Sequence, residues 1–496
     1  MIKINLKLKN KSGWWIFILL AIIPVSCDKK VEESSQAIAL AGDRKIDWKM
    51  IHRSYHLDPK WGRGLTQRES YENQLNFIID QKLYAQAAIA KGLDRQPLVQ
   101  DYLQFLKEKE MIKALYSQEV ESKIHITDQE YEDAYMKLKK RVKLAYFRTP
   151  ELSSAEKYRQ ELSEKLVQNI PLINAATDER GETDLISYGD MTEEIDDVAF
   201  DMELNEISDP IRSGQHYLVI KLIDGEKEKF LSKMDLAEHK SKIKKIIFDR
   251  RAAKLSDRFI YDLMKDEDVF LDPHSFQAVV AQFNRFVKRE ANPGDLPIEI
   301  NDAELGAVKA NLTDIKDDVL VTYKNGKMTV GEFLEKLFNM PAGLRPSVNM
   351  AHNVKKAIGI IVRNEYLIKR AYAEGLDHSD LIRTETEWQA DDYLSKKYLS
   401  AKRSWITLSD EEVNRFKESD SYRNILKQKG HIIAEDQAEN ILADLKFLDM
   451  KIHLADSLRQ VYGVSVDSTR FESQIEEPNM IIKQDPIRFV YREQFN

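Results

Sequence analysis

"FIIDQKLYAQAAIAKGLD" (Phe77–Asp94) returns 283 residues later as "IIVRNEYLIKRAYAEGLD" (Ile360–Asp377), and that repetition sets how the chain divides. Ile78, Ala88, Ala90, Gly92, Leu93 and Asp94 match Ile361, Ala371, Ala373, Gly375, Leu376 and Asp377. In the first copy Leu75, Ile78, Ile79, Leu83 and Ala87 recur at helical spacing, which predicts one apolar face. The glycine at the end of each copy, followed by Leu, predicts a left-handed C-cap with an apolar contact beyond it. Upstream, "KIDWKMI" meets "KMTVGEF" at an offset of 282. Downstream, "TDQE" (Thr127–Glu130) and "SDEE" (Ser409–Glu412) both read as capping boxes that start a helix. Collinear anchors on three elements argue for a duplicated helical unit opening each half of the chain.

The chain has 496 residues, 43% hydrophobic and 32% charged. That suffices for several cored domains and is too polar for a multispanning membrane protein. The first 26 residues carry Lys3, Lys7, Lys9 and Lys11, and without them the formal charge falls from -8 to -12. An acidic balance of this size argues against nucleic-acid binding, which rests on clustered basic charge. Those lysines precede "WWIFILLAIIPV", a run that reads as a secretory signal, too short for a stable span. Cys27 follows Ser26 directly and resembles a bacterial lipobox cysteine, although Pro24 stands where that pattern prefers Leu. The expectation is a signal peptide at 1–26, lipidation of Cys27 and a polar tether at 27–37. Cys27 is the only cysteine, so no intrachain disulfide forms.

Between the copies, "RVKLAYFRT" alternates as a strand does, and "SSAEKYRQELSEKLVQN" predicts a capped helix. "DLISYGDMTEEIDDVAF" and "ELNEISDPIRSGQHYLVIKLID" follow in order. Together these segments resemble a parvulin domain along Arg141–Gly225. The duplicated unit, a strand-turn-helix start leading to a capping-box helix, resembles the N-terminal region of SurA/PrsA-like foldases. The resemblance implies helical chaperone modules that hold unfolded clients, plus a parvulin-type prolyl isomerase domain. The fold class it implies is α+β and mainly helical, with an antiparallel sheet flanked by helices.

Prolyl isomerisation crosses a barrier of roughly 20 kcal/mol by twisting an amide. The resemblance implies a small apolar pocket for the proline ring, with two histidines and a Cys or Asp beneath the twisting bond. Carried over residue by residue, the pocket keeps Met191, has Ile195 in place of one phenylalanine, and keeps Phe200 for the other. The first-strand histidine falls on Ala145 and the second on Leu218. Only Asp178 stands near the Cys/Asp position, and Glu182–Thr183 replaces the family's paired glycines. His216, two residues before Leu218, shares its strand face, where a shifted alignment would restore one histidine. The alternative reading of His216 is a strand-end surface residue. Losing two hydrogen-bonding groups implies a rate lower by about 10²–10³.

In the second half "GHIIAEDQAENILADL" (Gly430–Leu445) resembles a parvulin opening with His431 at the histidine position, but no later motif follows. The expected division is a first module at 38–140, the parvulin-like domain at 141–225, and a helical connection completing the first module at 226–310. A second module at 311–418, a partial parvulin-like unit at 419–475 and a tail at 476–496 that contains the strand-like "PIRFVYREQF" complete it.

No HExxH, paired CxxC, phosphate loop or GxSxG occurs. His52 and His56 at i,i+4 would suit a metal, yet no third ligand is near in sequence, so no cofactor or metal is expected. The leading reading is a membrane-tethered periplasmic foldase or holdase for unfolded exported or outer-membrane polypeptides, its parvulin-like domain weak or inactive. It would be anchored by its N-terminal lipid, at the outer membrane rather than the inner. The alternatives are an active parvulin-type isomerase and a structural subunit of an outer-membrane assembly or secretion machine.

Overall fold

The structure is a computed structural model that describes residues 2–3, 37–57, 65–228, 232–287, 299–324, 326–429, 437–476 and 478. Cys27, His431 and "PIRFVYREQF" lie outside the described residues.

The first copy opens with a hairpin, β1 (Ala37–Ala41) and β2 (Arg44–Asp47). Its turn uses Gly42 at φ 61°, a conformation that costs glycine little. Four helices follow, α1 (Trp48–Leu57), α2 (Gln67–Ala90), α3 (Pro97–Glu119) and α4 (Asp128–Leu138). α2 begins in a capping box between Thr66 and Glu69, which pairs amides the first turn leaves free. Its stripe Leu75, Ile78, Ile79, Leu83 and Ala87 is buried throughout. Beyond its C-cap, Gly92 takes φ 71° and ψ 20°; Gly375 of the second copy takes φ 70° and ψ 21°. The αL glycine is thus the same device in both copies.

The parvulin-like unit comprises β3 (Lys140–Thr149), α5 (Leu152–Leu162), β4 (Glu179–Glu182), β5 (Ile186–Ser187), α6 (Glu193–Ala199), β6 (Ile211–Ser213) and β7 (His216–Lys227). Its antiparallel sheet has the order β4-β3-β7-β6, with β5 also beside β3. The cap expected for α5 does not form: Glu151 is the N-cap residue, and its side chain bonds no helix amide.

α7 (Lys233–Met264), β8 (Phe270–Leu271), α8 (Pro273–Phe286) and α9 (Asp302–Asn311) join the halves. The second copy then repeats the first: β9 (Val319–Tyr323), β10 (Gly326–Thr329), α10 (Val330–Phe338), α11 (Ala351–Ala373), α12 (Asp380–Arg403) and α13 (Asp410–Glu418). α4 and α13 both start in the capping boxes read from "TDQE" and "SDEE". The chain continues through α14 (Asp420–Lys429), α15 (Ala438–Tyr462), β11 (Val464–Val466) and α16 (Ser468–Ser473).

The copies exchange partners. β8, from the first half, pairs with β9 of the second hairpin; β11, from the second half, pairs with β1 of the first. Equivalent amides close both joints: Asp272 donates to the Leu320 carbonyl at 3.0 Å, and Asp467 to the Ile38 carbonyl at 2.8 Å. The connection at 226–310 therefore delivers its strand to the second module, whereas the family resemblance implies that it completes the first. α7 has 32 residues, about 48 Å at 1.5 Å per residue, and packs on α3 and α4 of the first copy and α11 of the second. Ile2–Lys3 adds a two-residue rung beside β8. Within 419–475 the described residues form helices and β11, and that strand belongs to the first hairpin's sheet.

The helices interlock in the same sense. α12 lies along α2 and α3, while α11 packs on α3. One core gathers Ile46, Ile78 and Leu83 with Leu394 and Tyr398 of α12 and Leu458 of α15. The other gathers Leu271, Val279 and Phe283 of the join with Leu320, Phe333 and Ile358 of the second copy. The fold is mainly helical α+β, with antiparallel sheets. No helix among the described residues is long and apolar enough to cross a membrane.

Candidate functional site

The sheet of the parvulin-like unit separates two apolar layers, because successive strand side chains point to opposite faces. On one face Leu144 of β3 and Ile220 of β7 pack with Met191, Ile195 and Phe200, and Tyr146 and Leu218 border the same cluster. On the other face Ala145, Phe147 and Val219 pack with Ala155, Tyr158 and Leu162 of α5. The structure therefore brings Met191, Ile195, Phe200 and Leu218 together and leaves Ala145 on the opposite side. The β3 residue facing the pocket is Tyr146, paired across the sheet with Ile220. Its phenol crosses Gly181 of β4 so closely that a Cβ there would sit 2.9 Å from the Tyr146 oxygen.

Asp178 also lies with the α5 layer. Its carboxylate accepts from the Tyr158 hydroxyl at 2.7 Å, the Asn174 amide at 3.0 Å and the Thr177 hydroxyl at 3.2 Å. Burial acts to raise its pKa, but hydrogen bonds led by Tyr158 and Thr149 outweigh it and hold the carboxyl below its ordinary range. An ionised carboxylate already saturated in this way ties the 174–178 loop to α5. It does not reach the face that carries Met191 and Leu218.

His216 does lie on the Leu218 face, at the start of β7. Its Nδ1 is 3.2 Å from Nη2 of Arg148, and Arg148 is paired at 2.9 Å with Glu179. A guanidinium has no acceptor, so Nδ1 accepts and the ring carries no proton there. The polar groups at this edge are thus Arg148, His216 and Glu179. Arg148 and Glu179 were not singled out from sequence, although the alternation Val142, Leu144, Tyr146, Arg148 would have placed Arg148 on this face.

The layer that carries Met191 is held from outside. Asp196 of α6, fully buried, pairs with Arg250 of α7 and accepts from the Gly189 amide at 2.8 Å. Arg250 also donates to the Met191 carbonyl at 3.3 Å and to the Tyr188 hydroxyl at 3.2 Å. Burial pushes the Asp196 carboxyl above its ordinary range, against the Gly189 amide and the Arg250 guanidinium. Ile243, Ile246 and Ile247 of the same helix complete this layer. A cavity of about 460 Å³ lies beside α6, lined by Val198, Met202, Ile207 and Pro210 rather than by Met191 or Leu218.

His52 and His56 are brought together in α1, ring centroids 4.4 Å apart, among Tyr55 and Tyr71. Among the described residues no group of three or more His, Cys, Asp or Glu is placed to hold a metal ion.

No family model matches the sequence. A foldase protein PrsA from Geobacillus sp. (strain WCH70) is 24% identical over 160 residues, 29% of this chain and 58% of that protein. Another from Exiguobacterium sibiricum is 28% identical over 182 residues, 34% of this chain and 59% of that protein. The chain thus spans about three fifths of the length of the curated relatives it matches. Among solved structures, a peptidylprolyl isomerase (PrsA) from Bacillus cereus aligns at 12% identity with a TM-score of 0.21, covering 57% of this chain and 98% of that one. Over about a third of its length, this chain is similar in sequence to foldase proteins PrsA.

Proposed function

We propose that this protein is a membrane-tethered, extracytoplasmic holdase-type foldase that binds unfolded exported polypeptides, with a parvulin-like unit of little catalytic power. The observation that carries the reading is the pocket face itself. Beneath Met191 and Ile195 the sheet presents Leu144, Tyr146, Leu218 and Ile220, while Asp178 is engaged on the opposite layer. A twisting prolyl amide set there meets one phenol and aliphatic carbon, while Arg148, His216 and Glu179 at the sheet edge are bonded to one another, which offers little to stabilise the transition state. The helical body, in contrast, keeps in both copies the αL glycine, the capping box that starts α4 and α13, and most of the buried stripe, as Ile358, Ile361, Val362 and Tyr366 in the second. Contacts of apolar side chains with a flexible client, at roughly 25 cal/mol per Å², suit weak and reversible binding. The tether is read from "IIPVSC" ahead of a polar linker, and the outer membrane is the favoured location.

The test measures two activities on the same full chain. It is expected to suppress aggregation of a denatured outer-membrane protein at near-stoichiometric ratio while barely accelerating cis-to-trans conversion of a prolyl tetrapeptide. An isomerase rate like that of an ordinary parvulin, lost on Met191→Ala, would overturn the inactive-unit reading. Absence of any aggregation suppression would overturn the holdase reading.

A further inference from the structure

The two closing helices, α7 and α15, are copies, and three structural anchors fix their register. Arg251 of α7 bonds Glu130 of the first capping box, and Lys446 of α15 bonds Glu412 of the second at 2.7 Å. Leu271 and Val466 pair with the equivalent hairpin residues Val321 and Ala39. Asp272 and Asp467 cap the helices that follow. In this register Ile246 and Ile247 correspond to Ile441 and Leu442. The first pair packs on the parvulin-like unit, and the second on Phe416 and Tyr422 in a small core of its own.

One turn further on, the copies diverge. Arg250, Ala253 and Asp257 of α7 correspond to Leu445, Leu448 and Ile452 of α15. Arg250 is spent on Asp196, and Ala253 and Asp257 are exposed. Their counterparts are apolar and left in water: Leu448 is 53% and Ile452 54% exposed. They sit within a stripe, Ala438, Ile441, Leu445, Leu448, Ile452 and Ala455, spaced alternately by three and four residues. Both ends of that stripe are covered, Ala438 by the small core and Ala455 by the first module's core. Only its middle is bare. Solvent does not require leucine and isoleucine where the sister helix carries alanine and aspartate.

We propose that this bare middle of α15 docks a short apolar run of an unfolded polypeptide, a reading that rests on the holdase function above and gives it a place. The size of the patch selects the occupant. Leu445 to Ile452 covers about 10 Å of helix axis and, on a helix about 10 Å across, on the order of 100 Å², far short of the roughly 800 Å² per partner that a stable dimer buries. Three or four residues of extended chain, at about 3.3 Å each, span it. On the flanks Lys446 is paired with Glu412 and Arg403 with Asp444, and Asp449 and His453 face each other in water, so the patch reads apolar side chains with polar neighbours at its rim.

The experiment uses full-length protein and reduced, carboxymethylated α-lactalbumin as a permanently unfolded probe, with Kd read by fluorescence anisotropy. The double variant Leu448→Ser/Ile452→Ser is expected to keep its far-UV spectrum and mass and to raise Kd at least about threefold. Ala253→Ser, at the matched position of α7, is expected to leave Kd unchanged. If the wild type binds and the double variant binds equally well, the docking site is wrong while the holdase reading stands. If the wild type does not bind at all, the holdase reading itself falls. If the variant converts a dimer to a monomer in sedimentation, the occupant is a second copy. If truncation after Pro478 tightens binding severalfold, it is the chain's own tail. Either result overturns the proposal.

Discussion

Lys82 Nζ lies 2.9 Å from Asp391 Oδ2, joining α2 of the first copy to α12 of the second, with both side chains almost wholly out of water. Arg44 of the first hairpin approaches the other Asp391 oxygen at 3.8 Å. A buried pair of this kind gains little over apolar packing, but breaking it strands a charge. Asp391→Ala should therefore cost about 3–5 kcal/mol in urea unfolding, whereas Lys82→Met combined with Asp391→Leu should lie much nearer the wild type. A single variant within about 1 kcal/mol of the parent would show that water reaches the pair.

The histidine pair in α1 makes the first module sensitive to acid. Burial lowers the pKa of His52, as does the charge of His56, with Glu476 opposing; burial alone lowers that of His56. His52 Nδ1 is also 3.0 Å from the Tyr71 hydroxyl. With folded pKa values below unfolded ones near 6.5, the unfolded chain takes up protons first as pH falls. The stability from neutral burial is complete above about 6.5 and is lost as pH drops through the folded values. His52→Gln with His56→Gln should flatten the melting temperature between pH 7 and 5. An equally steep decline in that variant would assign the effect elsewhere.

Restoring the polar floor tests the face assignment in the parvulin-like unit. Tyr146→His together with Leu218→His should raise prolyl isomerisation by about tenfold or more, each tenfold being roughly 1.4 kcal/mol of barrier. Ala145→His with Leu218→His should not, because Ala145 packs in the α5 layer. Equal gains from both pairs would contradict the register of β3.

The anchor is checked with Cys27→Ser. Acyl labelling in a bacterial host should disappear and the protein should leave the membrane fraction. Labelling that persists in the Ser variant would rule out Cys27 as the lipidated residue.

The helices of the repeat are legible in the sequence because a 3.6-residue period over α2, two capping boxes and an αL glycine all point to one structure. β3 is legible as a strand, but the face of each residue is not. A one-residue slip sends every side chain to the other layer, so Ala145, read from sequence at the histidine position, packs against α5 while its neighbour Tyr146 borders the layer of Met191. Asp178 is misleading for another reason: its chemistry suits a pocket, while its partners Tyr158 and Asn174 lie on the far layer. β8 has two residues, too few to show any period, and two nearly equivalent hairpins offer it an edge. Which edge it takes depends on the reach of α7, a property of the folded helix.

The exchange of closing strands also orders events in time. A chain that emerges N-terminus first presents β1 with one side paired to β2 and the other open until Val464 arrives to meet Ala41. Contacts so distant along the chain form slowly, and an unpaired strand edge invites the wrong neighbour meanwhile. A protein read as a guardian of unfinished chains is thus itself unfinished for more than four hundred residues of its own passage, its first hairpin waiting on the last of its described strands.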